Sequence, residues 1–506
     1  MSDEARAAAP TAAAEVDSAY TRRTRPQGYV NPPSREKYDL LVVGGGPAGF
    51  EAALTAAQDG FCVALIERSR MGGNSLNSGS IPSKALIGVA HIFKRLDETA
   101  QFGLHPADDP AIDFSTVTRR LNAIQAGAAA RYATDRLIDA GVDVFFGEAR
   151  FGGADHILVG QTRLAFAKAI VATGARPRDS NIPGLTQIGY HTSSTIFDLA
   201  ALPKRLMVIG GGPLGCELAQ AFVRLGPQVI IVQNDPKFLP REERDAAEIL
   251  SRAMAREGVE IWLNTTVVGA HGEGATKVLD VVNNEVKSQI RGDEILLSIG
   301  RVAQFEGLAL QAAGVEAELE TGVKVDDYLC SANPNVFAAG DACMGLKFAN
   351  AAEASGRLAV ANALRQARRP ASGLIIPWCT FTDPEIAHVG LHGFEANAGG
   401  VPVKSYTVMM HDIDRAIADD RDRGFVKIHV EAGSDRILGA TIVAARASEM
   451  INEVAAFLSA GVGMEALADV VHAYPAQSEA IQIAARAFVR DHARAKTSEA
   501  KSTASP

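Results

Sequence analysis

Short apolar runs divide the chain more sharply than any other feature. Tyr38–Val43, Cys62–Ile66, Ala169–Ala172, Leu206–Ile209, Val229–Val232, Ile295–Ile299 and Val336–Ala339 are nearly continuous in aliphatic residues, and most run into a glycine or an acid. Runs of that length fit strands buried on both faces of a parallel sheet better than half-exposed, alternating ones. Between them, stretches such as Glu51–Gln58 and Glu217–Leu225 have the composition of helices. The alternation is a βαβ pattern, and it occurs twice. Leu374–Val489 reads differently, with alternating strands followed by two helix-like stretches, and predicts a separate α+β domain. Residues 1–37 are rich in Ala, Arg, Pro and Ser without apolar periodicity and are expected to form a disordered arm. The tail from about Arg490 to Pro506 carries the same expectation.

Each βαβ pattern opens on a glycine loop. The strand Asp39–Val43 runs into Gly44-Gly45-Gly46-Pro47-Ala48-Gly49, and Glu67 closes the next strand 23 residues after Gly44. In such a loop the glycines permit a tight turn, close approach of backbone to a pyrophosphate, and close packing of helix on strand. The pyrophosphate then lies against the amides of a helix N-terminus, and the acid grips ribose hydroxyls. Leu206–Ile209 leads in the same way into Gly210-Gly211-Gly212-Pro213-Leu214-Gly215. The same count of 23 residues from Gly210 reaches Gln233, not an acid. Glutamine neither holds ribose as firmly as a carboxylate nor repels a 2′-phosphate. Asn234, Lys237 and Arg241 lie close by in sequence, as phosphate ligands or as solvated loop charges, so the second dinucleotide's identity stays open.

Composition narrows the class. The 506 residues are 47% hydrophobic and 22% charged, as in a soluble globular protein of several domains. A net charge of −9 argues against a nucleic-acid or anionic-membrane surface. No window is long and apolar enough for a spanning helix, and the N-terminus has no secretory signature. Cys62, Cys216, Cys330, Cys343 and Cys379 are odd in number and widely spaced. They form neither a CxxC metal pattern nor a disulfide framework, which fits a reducing cytoplasm, and no metal is expected.

The two loops come in order with Ile170-Val171-Ala172-Thr173-Gly174, then Val336-Phe337-Ala338-Ala339-Gly340-Asp341, then Phe381-Thr382-Asp383-Pro384-Glu385-Ile386. This set resembles the pyridine nucleotide–disulfide oxidoreductases over residues 38–489. Gly72–Leu86, Gly210–Phe222 and Asp414–Val426 read nearest to the branch that holds mercuric reductase and dihydrolipoyl dehydrogenase. The resemblance implies an α/β fold with two Rossmann-like dinucleotide-binding domains and a C-terminal α+β dimerisation domain. The implied boundaries are 38–183 with 303–371 for FAD, 184–302 for NAD(P), and 372–489 for a homodimer whose active site uses both subunits. FAD is then expected at Gly44, Gly46, Pro47, Ala48, Gly49, Glu67, Gly73, Asn74, Thr173, Gly174, Gly340 and Asp341. NAD(P)H is expected at Gly210, Gly212, Gly215, Gln233 and Gly300. Lys84 resembles the family's lysine near flavin N5, and Glu217 the glutamate that pairs with it. An ammonium there favours the reduced, anionic flavin, and a carboxylate keeps it in place.

The pattern breaks where the family carries its redox pair. Before the lysine stands Gly73-Asn74-Ser75-Leu76-Asn77-Ser78-Gly79-Ser80-Ile81-Pro82-Ser83, with Ser75 and Ser80 at the two cysteine positions. A hydroxyl forms no disulfide and is not appreciably ionised near neutral pH. Asn74 and Ser78 also depart from the commonest wording, and an engineered exchange has no motive to touch them. That favours a natural serine variant over an engineered double substitution. Near the C-terminus, Tyr474 stands where disulfide reductases carry a base histidine, and Glu479 keeps the place of its orienting acid. A phenol is a poor base at neutral pH but a fair hydrogen-bond or proton donor. His472 is two residues off and reads as structural. The C-terminal cysteine pair and N-terminal CxxC domain of mercuric reductases are missing, so mercury reduction is not expected.

The features retained serve hydride transfer from NAD(P)H to FAD, and those lost serve thiol chemistry. The leading expectation is an FAD-dependent NAD(P)H oxidoreductase that delivers electrons directly to a small quinone-like or other electrophilic acceptor. Ser75, Ser80 and Tyr474 would line the acceptor pocket. The alternatives are a soluble pyridine nucleotide transhydrogenase, a cysteine-to-serine variant of a disulfide or mercuric reductase, and a non-catalytic flavin-binding sensor.

Overall fold

A computed structural model describes residues 12–105 and 112–503. The chain divides into two compact units, one of residues 1–204 with 293–374 and the other of 205–292 with 375–506.

The first unit is built on a seven-stranded sheet. β1 (Tyr38–Val43), β2 (Val63–Glu67) and β3 (Asp143–Phe146) are parallel, with β1 flanked by β2 and by β6 (Thr162–Val171). The strand Val336–Ala338 adds to the far side of β6, in parallel. β4 (Ala149–Gly153) and β5 (His156–Val159) form an antiparallel meander with β6. The core strands are apolar without alternation because both faces are covered: Leu40, Leu41 and Val42 are all fully buried. α2 (Pro47–Gln58) lies on one face with the helix Ala349–Leu364 packed against it. Gly356 makes that contact possible, since a Cβ there would stand 2.4 Å from the Ala48 carbonyl oxygen. α3 (Gly73–Asn77), α4 (Ser80–Asp97) and α5 (Phe114–Ala128) follow β2.

The second unit holds a parallel set, Arg205–Ile209, Gln228–Val232 and Val259–Trp262, with the helix Pro213–Arg224 after its first strand. A three-stranded meander over Thr265–Gly292 follows. Its C-terminal part is a five-stranded antiparallel sheet packed by the helices Ala447–Ala460 and Glu479–Thr503.

Two expectations of disorder do not hold. Ala12–Thr24 forms a helix, α1, and residues 25–37 run as a strap bonded to β3 and its neighbours. The segment from Arg490 continues the last helix to Thr503. Residues 1–11 and 504–506, also expected to be disordered, lie outside the described residues.

Candidate active site

In the first unit the chain leaves β1 at Val43, turns at Gly44 with φ of 108° and enters α2 after Gly46. A side chain on Gly44 would bring its Cβ 2.4 Å from the Ala172 carbonyl oxygen, and one on Gly49 would bring it 1.9 Å from the Gly44 carbonyl. The first glycine is needed for the left-handed turn and the last for helix–strand approach. No side chain caps α2, and Pro47 fills its first turn, so its leading amides remain for an anion. Glu67 is 8% exposed; its Oε2 accepts the Gly45 amide at 2.7 Å and its Oε1 the Ser69 amide at 2.7 Å. Burial raises the Glu67 carboxyl above its ordinary range, against those two amides and the Arg68 and Arg25 charges.

Around this loop the remaining FAD candidates converge in one unit. Gly73 has φ of 54°, and a Cβ there would lie 2.8 Å from the Gly46 Cα. Asn74 donates to the Ala175 carbonyl. The buried Thr173 hydroxyl has no hydrogen-bond partner among the described residues, and Gly174 beside it has φ of 73°. The Gly340 amide donates to Ser355 Oγ at 2.9 Å, and Asp341 lies 3.2 Å from Arg301. Burial raises the Asp341 carboxyl, opposed by Arg301 and Lys347. An uncapped helix start, an orphaned hydroxyl and two buried carboxyls are the donors and acceptors that a pyrophosphate, a ribityl chain and a ribose require, so these residues fit FAD.

The second unit repeats the loop. Gly210 has φ of 101°, Gly212 precedes the helix Pro213–Arg224 without a side-chain cap, and Gly215 is buried within it. The Gly211 amide donates to Gln233 Oε1 at 2.8 Å, the same contact that Gly45 makes with Glu67. Lys237 and Arg241 are exposed. Gly300, expected with this loop, belongs to the other unit, where its carbonyl accepts the Arg178 amide at 3.0 Å.

The catalytic candidates are distributed over both units. In the first, Ser75 is half-buried on α3, Ser80 opens α4 in an exposed position, and Lys84 is half-buried one turn later. In the second, Glu217 is 3% exposed and accepts the Phe381 amide at 2.9 Å. Tyr474 is 71% exposed and donates to Asp414 at 2.6 Å, a contact that raises its pKa, with Glu479 adding a smaller push. His472 pairs with Glu453 at 2.8 Å, a structural role. Asp414 escaped sequence reasoning because it lies 60 residues from its partner, with no local spacing to mark it. None of the five cysteines is in a disulfide. Cys343, two residues after Asp341, is pushed by burial to about 12 and is no thiolate source at neutral pH.

Comparison with known proteins settles the family. The pyridine nucleotide-disulphide oxidoreductase profile matches residues 38–356, and the dimerisation-domain profile of the same family matches residues 376–485. The chain belongs to the pyridine nucleotide-disulphide oxidoreductases. It is 31% identical over 462 residues to mercuric reductase of Streptomyces lividans, covering 90% of this chain and 97% of that protein. Dihydrolipoyl dehydrogenase of Chlorobaculum tepidum is also 31% identical over 462 residues, covering 89% and 96%. Among solved structures, LpdA of Mycobacterium tuberculosis matches with a TM-score of 0.81 at 28% identity, over 89% of this chain and 99% of that one. The HOCl-induced flavoprotein disulfide reductase RclA of Escherichia coli, as its Cu(II) complex, matches at 0.79 with the same identity and coverage. The chain is thus an FAD-dependent NAD(P)H oxidoreductase with two Rossmann-like domains and a dimerisation domain. Among the described residues no helix is long and apolar enough to cross a membrane.

Proposed function

We propose that this enzyme passes hydride from NAD(P)H to FAD and then directly to a small quinone-like or other electrophilic acceptor, without a redox disulfide. The observation that carries the reading is Ser75 and Ser80 on the α3–α4 segment, in a chain whose glycine loops, Glu67, Lys84 and Glu217 are all in place. No free cysteine lies in that segment to replace the missing pair. FAD, when bound, supplies the capacity to accept a hydride and release an electron pair. The amides after Gly44 and Gly46 hold its pyrophosphate, Glu67 its ribose, and Thr173, Gly174 and Asp341 the chain between. Gly210, Gly212, Gly215 and Gln233 hold NAD(P)H. Lys84, at the position of the family's flavin lysine, stabilises negative charge that appears on reduction, and Glu217 stands at the position of the glutamate that accompanies it. Ser75 and Ser80 offer hydrogen bonds to the acceptor, and Tyr474, contributed across a homodimer with Glu479 beside it, does so by exchanging its bond to Asp414 for one to the acceptor. Five cysteines, none in a disulfide, support a reducing, cytoplasmic location.

The test is stopped-flow reduction by NADH and by NADPH, followed by a screen of quinones, disulfides, Hg(II) and a second pyridine nucleotide as oxidants. Rapid bleaching with turnover on quinones or related electrophiles is expected. Turnover confined to disulfides or to Hg(II) would overturn the reading. Turnover confined to a pyridine nucleotide would replace it with transhydrogenation.

A further inference from the structure

Residues 12–37 precede the part of the chain that matches the family, yet they are bonded into the first unit. α1 packs on α5 and the strap on β3, and a further set of their contacts falls on Arg68–Asn77, which leads from Glu67 into the Ser75 segment. The Met71 amide donates to the Thr24 carbonyl at 2.9 Å. Arg25 donates to the Arg68 carbonyl at 3.1 Å and the Ser69 carbonyl at 3.3 Å. The Arg70 guanidinium lies 5.3 Å from the centre of the Tyr20 ring, and the Tyr20 hydroxyl donates to Asn77 Oδ1. Tyr20 and Thr24 are buried, at 7% and 0% exposure, so their bonds to Asn77 and Met71 are largely shielded from water, while those of Arg25 lie at the surface.

Asn77 is the hub. Its Nδ2 donates to the Gly73 carbonyl at 2.8 Å and the Met71 carbonyl at 3.2 Å, while its Oδ1 accepts from α1. Gln125 on α5 donates to the Leu76 and Asn77 carbonyls at 2.9 and 3.1 Å. From the other side the same stretch meets the glycine loop, through Gly72 N–H to the Gly45 carbonyl at 2.8 Å. The strap anchors the far end: Asn31 exchanges two hydrogen bonds with the Phe146 backbone, at 2.8 and 3.0 Å, and Tyr29 donates to the Val144 carbonyl at 3.0 Å.

We propose that α1 and the strap form a clasp that fastens Arg68–Asn77 against the first glycine loop, so that FAD leaves only when the clasp lets this stretch move, with Tyr20 and Asn77 as its positioning pair. The inference rests on the assignment of FAD to that loop. Linkage makes it reciprocal: whatever loosens the clasp weakens FAD retention, and bound FAD tightens the clasp.

The test uses the full FAD-loaded chain, a truncation beginning at Pro32, and Tyr20→Phe, which keeps the ring on Arg70 and deletes only the hydroxyl. FAD release is followed by the rise in flavin fluorescence well below the unfolding temperature. Global unfolding is followed separately by far-UV circular dichroism, and trypsin cleavage after Arg68 and Arg70 reports the stretch itself. Tyr20→Phe should release FAD faster by about tenfold, the scale of one net buried hydrogen bond, with its unfolding midpoint nearly unchanged. Arg68 and Arg70 are exposed but held in the bonded stretch, so the truncation should exceed that effect and speed cleavage after both, a gain that added FAD reverses. Release rates within about twofold of the parent in both variants, on that same scale, would overturn the clasp. So would faster release that appears only in step with global unfolding. A parent chain that takes up no FAD would instead remove the cofactor assignment on which the clasp stands.

Discussion

The two glycine loops share one geometry and differ in what surrounds them. In each, the second glycine's amide is accepted by a side-chain oxygen at the end of the next strand, at 2.7 Å for Glu67 and 2.8 Å for Gln233. Around Glu67 the chain adds a lid: Arg68–Asn77 covers the loop, and α1 fastens that stretch. Gln233 is half-buried and is followed by exposed Asn234 and Lys237. A covered site with a buried carboxylate suits a nucleotide that stays through many turnovers. An open site with a neutral amide suits one that enters and leaves at each. The same local sequence signal therefore serves retention in one unit and exchange in the other, and the difference lies in the neighbours.

The largest effect should come from exploiting that contrast at the glycines. Gly44→Val forces a branched side chain into a left-handed turn and against the Ala172 carbonyl, so the protein should emerge colourless or insoluble. Gly212→Ala meets nothing within 4 Å, so the fold and the yellow colour should survive. Its methyl instead occupies space over the uncapped helix start, and KM for NAD(P)H should rise by about tenfold, the scale of one lost charge-assisted hydrogen bond. Retained FAD in Gly44→Val, or lost FAD in Gly212→Ala, would break the comparison.

Glu67→Gln makes the first loop like the second. FAD affinity should fall by roughly ten- to a hundredfold, as expected for a lost hydrogen bond to a charged group. The apoprotein should respond in the opposite sense. Burial raises the Glu67 carboxyl, so the folded chain holds that proton more tightly than the unfolded chain does. Apoprotein stability contributed by this group is therefore fully present at low pH and falls as pH rises above the ordinary carboxylate value. Thermal unfolding of the apoprotein across acidic to neutral pH should show this decline in the parent and a smaller one in Glu67→Gln. Equal profiles would mean that the carboxylate is not the group held out of water.

Much of this was legible in the chain itself. Strand, glycines, helix and second strand recur at one spacing because a pyrophosphate-binding turn demands close backbone approach, and such demands leave glycine where nothing else fits. Gln233 could be located by counting for the same reason. The clasp was not legible: Ala12–Thr24 has a weak apolar stripe, and its specificity comes from main-chain carbonyls and one tyrosine, which leave no periodic trace. The Tyr474–Asp414 pair was hidden by its separation along the chain, and the helical tail by its polarity once it leaves the core.

A smaller effect tests the segment that covers the first loop. With Ser75 and Ser80 in place, an anaerobic titration should consume about one NAD(P)H per flavin, since no second two-electron store is present. Ser75→Cys with Ser80→Cys should form a disulfide and raise that to about two, with a long-wavelength band from thiolate beside flavin. Persistently free thiols in a folded double variant would show that α3 and the start of α4 do not present these positions at bridging geometry.

The smallest effect is expected in nucleotide choice, where Gln233→Glu makes the second loop like the first. Gln233 spends its amide oxygen on Gly211, which leaves the nitrogen as its remaining polar group, a donor compatible with ribose oxygens and with a 2′-phosphate. No carboxylate repels that phosphate, so NADPH should reduce the enzyme at least as well as NADH. A glutamate can still accept the Gly211 amide, as Glu67 accepts that of Gly45, and its second oxygen adds a ribose acceptor and a negative charge. Because the position is half-exposed, water and salt weaken that repulsion. The ratio of kcat/KM for NADPH over NADH should therefore fall by only about three- to tenfold, on the scale of a partly screened charge contact. Measured at fixed, moderate ionic strength, the shift should shrink as salt is added. A strong NADH preference in the parent, unmoved by substitution of Lys237 or Arg241, would place the selector elsewhere in the second unit.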